Sequence, residues 1–353
     1  MSNAAEMGIM TAINHGYDAH PGFIKPGALY IAESSAWLAL AFIINTMLVH
    51  AAEFPGLYGT LAGFGLPFEA DYPPQGAAMW IVGLLQTATY VIAALYPLGV
   101  FGRYGHDHLV HHRDRLAGVA NYIITAAFFA VLLIGIVDAV ISFLRVENLF
   151  IPIFGDAMDV QIGRAAVRGA YLQVPLMVLS LVIALFVRGH PFVWLAALVV
   201  LSELLIVVAR FIFSYEQAFM GDLVRFWYAA LFLFASAYTL MKEGHVRVDV
   251  VYANFSDRAK ARANIIGSLL LGLPLCWIVL LRGIWGKSSM ITSPLLNFEI
   301  SQSGAGMFVK YLMAGFLLVF VITMLFQFAS YVAEYLRRFE EGYEPEPVHQ
   351  ENL

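Results

Sequence analysis

Charge is scarce in this sequence. Only 13% of its 353 residues are Asp, Glu, Lys or Arg, against about 25% in a soluble domain, and 60% are hydrophobic. Mean hydropathy is +0.75. Such a chain does not read as a soluble domain. Cysteine is nearly absent too. With Cys276 alone, internal disulfides, Cys-rich zinc sites and iron–sulfur clusters are excluded. Cys276 sits in the apolar run "LPLCWIVLL" and reads as a small buried hydrophobe. The opening "MSNAAEMGIMTAINHGYDAHPGF" lacks a basic stretch followed by an apolar one, so no cleavable signal peptide is expected.

What is present is a series of long apolar runs. A membrane-spanning helix needs about 20 mostly apolar residues. By that measure eight spans are expected, at 28–50, 78–101, 117–144, 169–187, 191–213, 223–241, 263–285 and 305–335. The fold class is therefore all-α, a polytopic integral membrane helical bundle. Lysine and arginine set the orientation, because cytoplasmic loops are enriched in them. An N-in, C-in arrangement puts twelve of the twenty basic residues on the inner side and leaves 51–77 and 214–222 on the outer side with none. Arg145, Arg164 and Arg168 stand against it. Residues 147–162, "ENLFIPIFGDAMDVQI", are too polar to span and read as an interfacial helix or re-entrant loop. "SYEQAFMGD" (214–222) has the same mixed character, and 341–353 is an acidic tail expected to be disordered. Residues 138–193 and 204–248 share a faint echo, an arginine, then Gly-Asp, then Gly-His, that is compatible with duplication.

Chemistry is harder to find. Bis-histidine haem ligation needs imidazoles inside facing spans, whereas the ten histidines lie in tails, loops or span ends. In "HDHLVHH", His108 and His112 are four apart, as on one helical face, and could collect a metal; a solvated loop with its histidines at headgroup level is the favoured reading. Two acids fall within spans, Asp138 and Glu203. A charged group at a span centre costs about 2.5–3.5 kcal/mol on insertion scales, so each should face protein or be protonated. Either is an ion or proton site or a packing hydrogen bond. Asp138 could pair with Arg145, and Glu203 with Arg210 through water two turns along. No nucleotide-binding loop, cofactor site or pair of interrupted half-helices is evident.

The densest charge lies at 242–262, "KEGHVRVDVVYANFSDRAKAR". "HVRVDVVY" alternates as a strand would, yet a helix would set His245 and Asp249 on one face. Ser256 suits an N-cap and Asp257 a first helical turn, with Lys260 and Arg262 placed for anionic headgroups.

Here the chain resembles the small membrane subunit (DctQ-type) of tripartite ATP-independent periplasmic (TRAP) transporters. That family has a word close to "GGHVRVDVLY", a following "LS-PR-RA" loop and a span with "LPF". This sequence matches at Gly244, His245, Val246, Arg247, Val248, Asp249 and Tyr252, then Phe255, Ser256, Arg258 and Ala261, then Leu273 and Pro274. Upstream, Arg210 and Phe213 fit, with Asp222 where a pair of glutamates is usual, and "EYLRRF" closes the last span. The likeness covers about 190–340, which divides the chain into an extension (1–189), a four-span small-subunit domain (190–340) and a tail (341–353).

The resemblance implies a bacterial inner-membrane scaffold subunit that is neither an enzyme nor a substrate binder and has no cofactor. Its expected partners are a large membrane subunit (DctM-type), a periplasmic solute-binding protein (DctP-type) and the lipid bilayer, not nucleic acid. It also implies sodium-coupled uptake of organic acids by the assembly. Arg210, Asp222, Trp227, His245, Arg247 and Asp249 would then be structural or interface residues, Trp227 and Tyr228 part of a packing or lipid-facing surface, and Arg258, Lys260 and Arg262 membrane anchors. The alternative is an autonomous membrane protein, a self-contained transporter or a redox subunit. A separate docking module in 1–189 is a further possibility.

Overall fold

The computed structural model describes residues 24–98, 106–187, 192–216, 218–242, 251–301 and 306–341. The described residues form helices with no strand. In chain order they are α1 (Ile24–Ala52), α2 (Gly56–Gly63), α3 (Gly76–Leu95), α4 (His106–Val146), α5 (Phe150–Phe154) and α6 (Asp156–Ile162). Then come α7 (Ala165–Phe186), α8 (Phe192–Phe213), α9 (Ala218–Met241), α10 (Asp257–Ile284), α11 (Thr292–Asn297) and α12 (Lys310–Glu341). Eight of them (α1, α3, α4, α7, α8, α9, α10 and α12) are long and apolar enough to cross a membrane, the number expected from the sequence.

Two helices make the centre. α12 and α4 pack along each other, α12 also against α1, α9 and α10, and α4 also against α7 and α9. Over their most apolar windows α12 is 56% and α4 39% buried, while the other six range from 11% to 28%. One continuous core runs from Leu29 and Leu116 through Phe226 and Leu280 to Phe326. The expected extension and small-subunit regions thus share their hydrophobic interior.

At 41 residues α4 is about 60 Å long, twice the hydrocarbon thickness, so its ends project. The projecting first turns of α4 are charged and meet the last turns of α12. Arg113 donates to Glu334 at 3.0 Å, and Glu334 also accepts from Arg337 (2.7 Å) and Arg338 (2.6 Å). Nearby, buried Glu33 on α1 accepts from Arg115 and Trp37 and lies 3.2 Å from His112. The sequence placed His112 in a loop as a metal candidate; it stands instead on a helix, facing a carboxylate.

Two spans deviate from α-helical hydrogen bonding at matching places. α7 contains a π-helical turn at Gly169–Gln173 and α10 one at Ser268–Gly272, each followed two residues later by proline, Pro175 or Pro274. Proline cannot donate to the carbonyl four residues back, and the wider i→i+5 turn absorbs that loss without breaking the helix. Both spans stay continuous. Residues 147–162 fold as α5 and α6, with Ile153, Phe154 and Val160 exposed, as an interfacial segment would.

Candidate functional site: a polar clasp under the last span

The chain between α11 and α12 returns into the bundle before its final crossing. Phe298 ends α11 in the left-handed region (φ 48°), its ring set edge-on to Tyr311 at 5.2 Å. The Glu299 carbonyl then accepts from the Tyr311 amide (3.0 Å) near the start of α12. Residues 306–309 are non-helical and buried. Buried backbone needs partners, and here they are side chains of the neighbouring helices.

Asp222 on α9 accepts the Met307 amide at 3.1 Å, and Asp138 on α4 accepts the Phe308 amide at 2.8 Å. Ser142 donates to the Gly306 carbonyl at 3.3 Å. Gln173, in the π turn of α7, donates to the Phe308 carbonyl (3.0 Å) and to Asp138 (3.2 Å). Its carbonyl oxygen accepts the Tyr311 hydroxyl, which fixes the amide's orientation. Arg168 completes the group, 3.3 Å from Asp138, with its guanidinium 4.3 Å over the Phe308 ring. Arg168 and Asp138 are both wholly buried. Arg168 Nε and Nη2 have no hydrogen-bond partner among the described residues.

The π turn makes this possible. Its extra residue swings both Arg168 and Gln173 inward, and the missing side chain of Gly169 admits Phe298, whose ring a Cβ there would approach to 2.3 Å. Such turns recur at functional sites.

The expected site residues separate into several groups. Asp138 faces protein, but its ion-pair partner is Arg168; Arg145 instead bonds Asp159 at 2.8 Å. Seven residues along one helix leave two groups about 10 Å apart, too far for a direct bond. Arg210, the expected water-linked partner of Glu203, lies 3.4 Å from Glu216. Glu203 itself is exposed on α8. Asp222 lies within α9 and not in a loop. Trp227 is buried and donates to the Val131 carbonyl at 3.2 Å, while Tyr228 is exposed. Gly135 leaves room for that indole, since a Cβ there would come within 2.5 Å of it.

Ser256 occupies the N-cap position of α10 but makes no side-chain capping bond. Lys260 lies over the Tyr252 ring (5.8 Å) and Arg262 over Phe339 of α12 (5.2 Å), so these cations meet protein rings; Arg258 is exposed. His245, Arg247 and Asp249 lie outside the described residues, as do His190, Pro191 and the tail from 342. The sequence reading missed Arg168, Gln173, Ser142 and Tyr311. Only one signal marked them, an arginine at the edge of a span that broke the charge asymmetry.

At the loop end of α1 a cavity of about 580 Å³ is lined by His50, Tyr58, Tyr72, Tyr90 and Trp285, among others. Lys287 donates to Tyr72 and lies 3.5 Å from Glu53. The Tyr72 hydroxyl, and Glu53 behind it, hold the lysine pKa above its ordinary value.

Asp138, Asp222, Ser142 and Gln173 each bond main-chain atoms of 306–308, which holds that segment in place. Among the described residues no three His, Cys, Asp or Glu side chains group as metal ligands would. No curated protein and no solved structure matches the chain. Residues 198–340 match the family described as "Tripartite ATP-independent periplasmic transporters, DctQ component". The match runs from within α8 to the last turn of α12, where the chain is similar to the DctQ component, and the helices before α8 lie outside it.

Proposed function

We propose that this protein is a scaffold in the bilayer for the large transport subunit of a TRAP assembly. That assembly takes up organic acids with sodium, after delivery by a periplasmic binding protein. The protein resides in the bacterial inner membrane with both termini inside, and it is not itself an enzyme. The observation that supports a scaffold most directly is the use of Asp138 and Asp222: both intramembrane carboxylates bond backbone amides of one segment. A transport path would leave such groups free to bind and release an ion. The family match supports the transporter context.

On this reading His245, Arg247 and Asp249 pin the assembly on the cytoplasmic side. Replacing Arg247 and Asp249 together with alanine should weaken assembly with the large subunit and leave membrane insertion intact. The reading as a whole is tested by extracting the tagged chain from native membranes in mild detergent and identifying what accompanies it by mass spectrometry. A larger polytopic subunit in stoichiometric amount is expected. A chain that came out alone, and moved solute when reconstituted in liposomes, would show an autonomous transporter.

A further inference from the structure

α8 is a peripheral helix. It packs chiefly on α9, through Leu195, Ser202 and Ala209, which recur every seven residues along one seam. Most of its remaining surface faces outward. That is ordinary for a span in contact with lipid, with one exception. Glu203 lies near the middle of the 22-residue helix and is exposed. Among the described residues it has neither an ion-pair partner nor a side-chain hydrogen bond, and Arg210 is turned to Glu216.

A carboxyl group at hydrocarbon depth is costly whether it is charged or protonated and unbonded. Glutamate is too short to reach the headgroups from mid-helix, unlike a snorkelling lysine or arginine. Lipid tails offer nothing that could satisfy it. The same helix could carry leucine there at no cost to its packing on α9. Asp138 shows how this protein treats an acid that serves its own fold, by enclosing it completely. Glu203 is treated in the opposite way.

We infer that the exposed stripe Val200, Glu203, Val207 and Arg210 is an intramembrane docking face for a helix of another polypeptide, which presents a basic or amide side chain to Glu203 at matching depth. Val200 and Val207 flank Glu203 one turn away on either side and are exposed. β-Branched residues there let a second helix approach closely while the carboxyl accepts from it. Charge complementarity favours a heterologous partner over a second copy of this chain, because a symmetric contact would set two carboxylates against each other. The inference rests on the proposed role as a subunit of a larger assembly, and it adds where that partner sits and what it must carry.

The test uses the full chain in its native membranes, with a photo-crosslinking amino acid at Val200 or Val207 and, separately, the variant Glu203→Leu. Adducts at both positions are expected with the large membrane subunit, mapping to a membrane helix that contains Lys, Arg, His, Asn or Gln. Leucine is at least as easily inserted as glutamate, so lower recovery of the complex with Glu203→Leu would report the interface and not misfolding. About a tenfold loss is expected for one charge-assisted hydrogen bond. Co-purification of the large subunit with no adduct at either position would overturn the docking face and leave the scaffold reading intact. Adducts to a second copy of this chain, or to a wholly apolar helix, would overturn it equally, as would unchanged recovery of Glu203→Leu. Failure of any large subunit to accompany the wild-type chain would remove both readings.

Discussion

Asp138 and Glu203 are the two acids set deepest by sequence, and the fold handles them in opposite ways. Asp138 lies on the central helix α4, fully enclosed, and meets Arg168, Gln173 and a backbone amide. Glu203 lies on a peripheral helix, exposed and without a partner among the described residues. The same chemical group is in one place part of a lock on the chain's own backbone and in the other an open valence. The difference lies in the neighbours. A central helix is surrounded by side chains that can be recruited, whereas a peripheral one has a single contact seam and lipid elsewhere.

If that contrast is right, changes around Asp138 should damage stability and changes at Glu203 should not. The largest effect is expected for Arg168→Leu, which strands a buried carboxylate and should cost about 3–5 kcal/mol in equilibrium unfolding in mixed micelles. Adding Asp138→Asn to it should recover part of that loss, since the stranded charge is then gone; a double variant no better than the single one would mean that Arg168 acts through packing alone. Gly169→Ala comes next. Its new Cβ drives Phe298 off the π turn, for about 1–3 kcal/mol of overpacking. Normal unfolding of this variant would show that the turn has slack.

Trp227→Phe keeps the ring in the core and removes one hydrogen bond to Val131, worth about 1 kcal/mol by the same measurement. A smaller loss, about 0.5–1 kcal/mol, is expected for Arg262→Ala, which removes an exposed cation from Phe339. At the end of the scale, Glu203→Leu should leave the unfolding of the isolated chain unchanged or slightly improved. A marked destabilisation would place Glu203 in the chain's own fold and erase the contrast with Asp138.

The two charged ends of the bundle differ in a related way. Glu334 binds Arg113, Arg337 and Arg338 with some exposure to solvent, where each pair is cheap to lose. The clasp at 306–309 has no water to fall back on. It is there that the chain leaves helical hydrogen bonding, and there that side chains supply what the backbone lacks.

Apolar run length alone determined the all-helical class and the number of spans, because a bilayer admits about 20 residues of satisfied backbone per crossing and little else. The small-subunit resemblance over 190–340 was equally plain from the word "GHVRVD" and its surroundings, and the family match covers nearly the same ground. Tertiary structure decided the rest. Periodicity could place Asp138 inside a span, but its partners come from α7 and from the segment before α12, 30 and 170 residues further along. Proximity in sequence favoured Arg145, which an α-helix keeps two turns away. Arg168 read as a loop charge of the wrong sign because nothing local shows that a π turn at Gly169 carries it into the core. Whether an intramembrane acid is enclosed or exposed depends on which helices come to surround it, and hydropathy along one chain does not contain that information.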